Sequence, residues 1–527
     1  MRITREFHAS MTWLHTWLGI ALGGVLFAVF WMGTLTVFHL EINRWMMPET
    51  RVTLDVDAPL DPVVLPRLAE LELDSTTNVS IARPSERSPL VGLFVFGGES
   101  RHRLYLDPST GKEVTRTKTF GASDFFYPFH YSLHISPLGL GYWIVGLAAV
   151  SMLVLTITGI FIHRKIFREF FTFRPKKMLR RSMLDLHNLT AVVALPFHIL
   201  FPLSGILIFA LLYFPNAMTS AFDGDREAYL KAMTGYHTPE ASGKPGPLPA
   251  SLDALVARAE ANWTERDGQP ARADYLRILN AGDADAAVMV QHAFPERQVA
   301  MTRGNMLFDA GTGAVLNDFT PLPVHTTLSW IKGAHFVRVD SWALRWLFFL
   351  GGLAGSVMIA SGLLFWMQAR IRKFHEPRGV RVVRALTIGT VTGMVFATAA
   401  FMVANRLLPL DAAGLGLDRA YLEVVVFFGA WIVAFVHAGV RGRKAWREQC
   451  WAIAAAALLA PCLNWLTTGD DPLAAIGAGQ WAIASIDLVL LLSAIGAVLA
   501  ARRLDTAPVP SREPRRARPA VEPAAAE

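Results

Sequence analysis

Residues 11–40 read MTWLHTWLGIALGGVLFAVFWMGTLTVFHL, a run without Lys, Arg, Asp or Glu. A helix needs about 20 predominantly apolar residues to cross a bilayer, so this stretch is long enough to span one. The run is about twice as long as the apolar core of a cleaved signal peptide, and no small-residue cleavage site follows it. We therefore expect this segment to stay in the protein as a membrane anchor.

The rest of the chain has a similar character, since 53% of its 527 residues are hydrophobic and 18% are charged. That composition is too apolar for an ordinary soluble protein of this size. Seven further stretches approach or exceed the length of a span, which predicts an all-α polytopic membrane helical bundle with about eight spans. The eight predicted spans are 11–40, 139–162, 186–213, 342–367, 385–407, 420–440, 451–466 and 481–501, of which 451–466 is the shortest.

Lys and Arg cluster after the even-numbered spans, in segments 164–181, 370–384 and 441–447. Cytoplasmic loops of membrane proteins carry an excess of these residues. We therefore expect both chain ends in the cytoplasm (N-in, C-in) of a bacterium, with the protein in its inner membrane. The formal net charge of +7 then reflects topology and does not require a nucleic-acid partner.

Two long hydrophilic insertions face the opposite, periplasmic side. Each contains a polar helix followed by alternating strands and an Asp-x-x-Thr-Gly turn, which starts at Asp107 in the first insertion and at Asp309 in the second. This repeat predicts two small periplasmic α+β domains of one type. The predicted organisation is span one in 1–40, the first domain in 41–131, spans two and three in 132–213, the second domain in 214–340, span four in 341–368, spans five to eight in 385–501, and a disordered cytoplasmic tail in 502–527.

Histidines recur at the ends of the first four spans, where an imidazole is costly unless it has a role. Paired imidazoles on neighbouring helices can hold a b-type haem. His15 and His187 lie at one depth, and His134 and His335 at the other, so we expect two haem b groups whose irons are bound by these two pairs. Three more histidines are alternatives: His163 as an inner ligand, His130 as a ligand or orienting residue, and His198 as an outer ligand or relay about 16 Å from His187 on a straight helix.

No other redox or nucleotide site is visible in the sequence. The two cysteines, Cys450 and Cys462, are too far apart on one helix for a disulfide and match no zinc or iron–sulfur pattern. A glycine-rich nucleotide loop following a strand is also missing. Electrons would therefore come from an external donor or from the quinone pool.

Several motifs resemble a known family. The two turns are similar to the closing strand and turn of the PepSY domain, and the membrane part resembles the PepSY-associated transmembrane family over residues 1 to about 370. The membrane motifs that carry the resemblance are Leu14-His15-Thr16-Trp17-Leu18-Gly19, Leu133-His134, Asp185-Leu186-His187-Asn188, Ala194-Leu195-Pro196-Phe197-His198 and Leu344-Arg345-Trp346-Leu347-Phe348.

The resemblance implies a di-haem membrane reductase that releases iron from a ferric siderophore. Two other interpretations stay open: a PepSY-type regulator or peptidase inhibitor without redox activity, and a transporter of iron or of the siderophore. A transporter favours acidic residues inside the spans, for which Glu423 and Asp487 are the main candidates. Pro196 and Pro202 should kink span three, and the candidates to pair with haem propionates are Arg164, Lys165 and Arg345.

Overall fold

A computed structural model describes residues 4–97, 101–115, 117–163, 174, 179–225, 228–229, 231–232, 239–293, 304–319, 323–339, 341–374 and 378–506. Seven helices in these ranges are long and apolar enough to cross a membrane, or eight if one bent pair counts as a single span. The protein is therefore a polytopic helical membrane protein. In chain order, spans one to eight are Arg5–Thr36, Leu140–Ile162, the bent pair Leu179–Val193 and Leu195–Ile208, Trp342–Phe374, Arg378–Leu407, Arg419–Arg441, Lys444–Thr468 and Trp481–Thr506.

Span three is broken by 66° between its two helices. Pro196 lies in the first turn of the second helix, where a backbone N–H has no partner within the helix and its absence costs nothing. The first helix cannot continue through Pro196, because a proline inside a helix lacks the N–H that the helix needs there and its ring clashes with the preceding turn. The predicted kink in span three is thus confirmed. Because His187 and His198 lie on different sides of the break, the estimate of 16 Å along a straight helix does not apply.

Span seven is longer than its apolar run indicates. The helix begins at Lys444 and ends at Thr468, so it extends beyond the predicted range 451–466 at both ends. The additional residues at its start are mainly polar, and hydropathy alone does not count them as part of a span. Helical structure depends on backbone hydrogen bonds, which polar residues such as Lys444 and Arg447 can also make.

The two hydrophilic insertions share one sheet. Its seven strands are antiparallel to their neighbours and lie in the order β3-β2-β1-β4-β5-β6-β7. Strand β1 of the first insertion pairs with β4 of the second, with Ile81 opposite Leu276. The repeat in the sequence does not reveal this pairing. The strands are β1 Asn78–Ala82, β2 Val91–Phe96, β3 His102–Leu106, β4 Ala273–Leu279, β5 Ala287–His292, β6 Asn305–Asp309 and β7 Val315–Phe319.

Both Asp-x-x-Thr-Gly segments form the predicted turns. Gly111 and Gly313 have positive φ, as the turn requires. Asp309 accepts hydrogen bonds from the backbone N–H and the hydroxyl of Thr312, each at 2.7 Å. These hydrogen bonds favour the ionised carboxylate and lower the pKa of Asp309.

A helix from each insertion covers one face of the sheet. Helix Asp61–Ala69 comes from the first insertion and helix Leu252–Asp267 from the second. Their buried side chains, among them Leu68 and Trp263, pack with Val79 and Ile278 of the strands in one hydrophobic core. The remaining described helices are His39–Met46, Pro48–Thr50, Ala122–Phe126, Tyr127–Ser132, Pro137–Gly139, Ala210–Tyr213, Asn216–Phe222, Pro323–Phe336 and Pro472–Gly477, and a two-stranded ribbon joins Ala413–Gly414 to Leu417–Asp418.

Candidate functional site

His15 of span one lies beside His187 of span three. Their ring centroids are 6.2 Å apart and the rings are nearly perpendicular, at 84°. Nδ1 of His15 lies 3.0 Å from the hydroxyl of Thr158, and Nδ1 of His187 lies 2.8 Å from the carbonyl oxygen of Met358. Each Nδ1 thus has a hydrogen-bond partner, which leaves Nε2 of each ring for another ligand. We call these two residues the span pair.

His335 pairs with His130. Their ring centroids are 5.8 Å apart, and both residues lie on short helices that precede membrane spans, Tyr127–Ser132 and Pro323–Phe336. Nδ1 of His130 is 2.8 Å from the carbonyl oxygen of Val29, and Nδ1 of His335 is 2.9 Å from the hydroxyl of Ser204. This second pair, the sheet-side pair, therefore repeats the arrangement of the span pair.

His134, the predicted partner of His335, lies elsewhere. The helix ends at Ser132, and Leu133 and His134 both have positive φ, so the chain turns away before His134. His134 is an exposed residue, its ring stacks on Phe125 with a centroid distance of 5.0 Å, and its Nε2 is 2.8 Å from the Phe125 carbonyl oxygen. The prediction that His134 pairs with His335 is corrected by this geometry.

Each of the four paired imidazoles packs against a glycine. If a Cβ atom is built on each glycine, its distance to the nearest atom of the imidazole ring is shorter than most Cβ contacts in proteins. Two of these distances are below 3.0 Å. Glycine therefore gives the rings room that alanine would remove. The contacts are Gly33 with His130 at 2.6 Å, Gly362 with His187 at 2.9 Å, Gly205 with His335 at 3.3 Å and Gly159 with His15 at 3.4 Å.

His198 lies between the two pairs. Its ring is 6.4 Å from that of Phe30, which is one helical turn from Gly33 of the sheet-side pair. On span four, His198 faces Gly355, which is one turn from the Met358 carbonyl that holds His187. The side chain is 1% exposed, and its Nε2 has no hydrogen-bond partner. His163 follows the last residue of span two, and its Nε2 is likewise buried without a partner.

A cavity of about 460 Å³ lies next to the sheet-side pair. His130 and His335 both line it, and most of the other lining residues are apolar and come mainly from spans one, two and three. Burial, together with the neighbouring His130, lowers the pKa of His335 to about 3. The imidazole is therefore neutral at physiological pH and keeps a lone pair that can bind a metal.

The donor set fits a haem better than a bare metal ion. In the described part of the chain, no group of three or more His, Cys, Asp or Glu side chains could hold a metal ion. Two imidazoles alone do not complete a zinc site, whereas a haem brings its own ring nitrogens and needs only axial ligands. A bond from a metal to an imidazole nitrogen is about 2 Å long, which puts the centroids of two opposed rings about 6 Å apart, close to the spacing in both pairs. Hydrogen bonds at Nδ1 are also typical of metal-binding histidines.

Arg345 is engaged elsewhere. Its guanidinium forms a buried ion pair with Glu41, which also accepts two hydrogen bonds of 2.9 Å from Arg87. This network ties the start of span four to the segment after span one and engages the guanidinium of Arg345 with Glu41. The other two candidates for that role, Arg164 and Lys165, lie outside the described residues.

The buried acids of spans five to eight are held in hydrogen-bond networks. Asp487 accepts a hydrogen bond of 2.7 Å from Trp45 Nε1. Glu423 accepts one of 2.9 Å from Asn405 and forms an ion pair of 2.8 Å with Arg419. The first of these contacts attaches the last four spans to the segment that follows span one. The two acids thus have a structural use that does not require a transported ion.

These features define a multi-pass helical membrane protein in which histidines from different segments meet inside the bundle. The profile of the PepSY-associated TM region matches residues 12–369, so the chain belongs to this family. The resemblance noted in the sequence is thereby confirmed. A relative from Pseudomonas aeruginosa, an uncharacterized protein, is 27% identical over 380 residues, which cover 67% of this chain and 89% of that protein.

Proposed function

We propose that this protein is a haem-containing reductase of the bacterial inner membrane that passes electrons across the membrane to a periplasmic ferric siderophore. The observation that carries the proposal is the double imidazole pair, in which every Nδ1 has a hydrogen-bond partner and every Nε2 is left for a ligand. A b-type haem bound at such a pair supplies one-electron transfer.

The chain supports this function by holding the two pairs at different depths. His15 and Gly33, which packs against His130, are eighteen residues apart on the same helix. At 1.5 Å per residue, this separation is about 27 Å along the helix axis, close to the thickness of the hydrocarbon core, about 30 Å. The Nδ1 contacts fix the orientation of each ring, and apolar side chains form most of the cavity wall beside the sheet-side pair.

The substrate proposal follows from topology and iron chemistry. With both chain ends in the cytoplasm, the sheet and the sheet-side pair lie on the periplasmic side. There, the Fe(III) of a siderophore would accept one electron and become Fe(II), a softer ion that oxygen ligands hold less tightly. Electrons would enter near the span pair from the quinone pool or from another donor.

The test uses the purified full chain in detergent. We expect a pyridine haemochrome assay to give about two b-type haems per chain, and dithionite-reduced protein to be reoxidised by a ferric siderophore while ferrozine traps Fe(II). His335→Ala should remove one haem and abolish the reoxidation, whereas the exposed His134→Ala should do neither. Protein without haem after haem-supplemented expression would overturn the proposal. Siderophore uptake into vesicles that contain the purified protein, without formation of Fe(II), would favour the transporter.

A further inference from the structure

The cavity at the sheet-side pair has a cation at one end. Among the described residues that line this cavity, Arg338 is the only Lys or Arg, and none is Asp or Glu. Arg338 follows His335 by three residues and is exposed. The guanidinium lies 5.5 Å from the ring centroid of Phe336, the residue after His335. A positive charge thus stands beside the proposed ligand pair without a carboxylate in the cavity wall.

Polar aromatic side chains surround this cation. Tyr127 lines the same cavity as Arg338 and stacks on His39 with a centroid distance of 5.7 Å. Tyr131 lies 5.3 Å from Tyr127, so a second tyrosine lines the same end of the cavity. A guanidinium beside a phenol hydroxyl offers several hydrogen-bond donors in one place, which suits a carboxylate. The opposite walls of the cavity are mainly apolar and suit a flat hydrocarbon ring system.

We infer that Arg338 and Tyr127 form the carboxylate subsite for a haem bound between His130 and His335. This inference rests on the proposed function. Arg338 thus takes the role of pairing with a haem carboxylate, for which the sequence offered Arg345 as a candidate. The guanidinium of Arg345 forms an ion pair with Glu41. The subsite sets which edge of the haem faces the exposed end of the cavity. It also places a positive charge where that charge stabilises an added electron.

The experiment measures midpoint potentials of the purified full chain by spectroelectrochemical titration. Arg338→Gln removes the charge and keeps a polar side chain, whereas Arg338→Lys keeps the charge. Lys332→Gln is the matched control, since Lys332 lies on the same helix as His335 but does not line the cavity. The sheet-side haem is identified as the one missing from His335→Ala.

Arg338→Gln should lower the midpoint potential of the sheet-side haem by about 59 mV. For a one-electron couple, this shift corresponds to a tenfold lower ratio of reduced to oxidised haem at a given potential. The other haem should keep its potential, and Arg338→Lys should restore most of the shift. An unchanged potential in Arg338→Gln would overturn the inference, as would an equal shift in Lys332→Gln. Wild-type protein without haem would instead overturn the proposed function.

Discussion

Asp61 and Asp253 lie in the first turns of two helices, and each carboxylate caps the helix of the other residue. The carboxylate of Asp253 accepts hydrogen bonds from the backbone N–H groups of Leu60 and Asp61, at 2.8 and 3.0 Å. The carboxylate of Asp61 accepts hydrogen bonds from those of Leu252 and Asp253, at 2.6 and 3.3 Å. The first N–H groups of a helix have no partner within it, so each insertion satisfies the start of the other's helix.

Asp61→Ala should therefore loosen a helix in the other insertion. We expect it to cost about 1 kcal/mol, the usual value of a lost helix cap, and to lower the melting temperature of the sheet by roughly 2–4 °C. Hydrogen exchange should become faster at the amide of Leu252, nearly two hundred residues away in sequence. Asp57→Ala, in the exposed part of the same loop, is the control. Faster exchange confined to the first insertion would contradict the reciprocal cap.

The choice between His130 and His134 gives a second prediction. His130→Ala should reduce the haem content from about two to about one per chain, because we propose that His130 and His335 are the two axial ligands of one haem. His134→Ala should keep both haems, since that residue is exposed and bonds the Phe125 carbonyl. The pyridine haemochrome assay on both variants decides the point, and the reverse pattern would restore the pairing that the sequence predicted.

The glycine contacts give a third prediction. Gly33→Ala should displace the ring of His130, because the added Cβ would lie 2.6 Å from it, and the sheet-side haem should be partly lost or spectrally altered. Gly362→Ala should do the same at His187, where the distance is 2.9 Å. Gly429→Ala in span six is the matched control, since no heavy atom lies within 4 Å of its Cβ position. Equal haem spectra in all three variants would show that the rings have room to move.

His198 gives a fourth prediction. If it is a relay, His198→Phe should keep both haems while electrons pass more slowly from one to the other. Stopped-flow reduction, followed at the absorbance of each haem, measures that rate. Loss of a haem would instead make His198 a ligand, the other role that the sequence leaves open. His163→Phe, at the end of span two, tests the alternative inner ligand in the same assay.

The sequence predicts the spans well because hydropathy reports directly on burial in lipid. It also predicts the bend of span three, since Pro196 acts through its own covalent structure. The pairing of His335 depends instead on two residues with positive φ, Leu133 and His134, and neither is a glycine that would mark the turn. A helix continued through these residues would place His134 one turn beyond His130, which makes the two indistinguishable by depth.

The shared sheet could not be predicted for a similar reason. The repeat of helix, strands and turn describes each insertion separately and contains no information on which strand edges meet. The β1–β4 pairing depends on residues nearly two hundred positions apart, such as Ile81 and Leu276. The role of Arg345 was hidden in the same way, because its partner Glu41 lies in the segment that follows span one.

The β1–β4 junction makes this part of the chain a covalently linked pseudo-dimer. Its first half contributes His15 and His130, and its second half contributes His187 and His335, so each imidazole pair takes one ring from either half. A half-length chain would expose the edge of β1 or of β4 and would carry one imidazole for each site. Two such halves, expressed as separate polypeptides, would have to associate before either site existed.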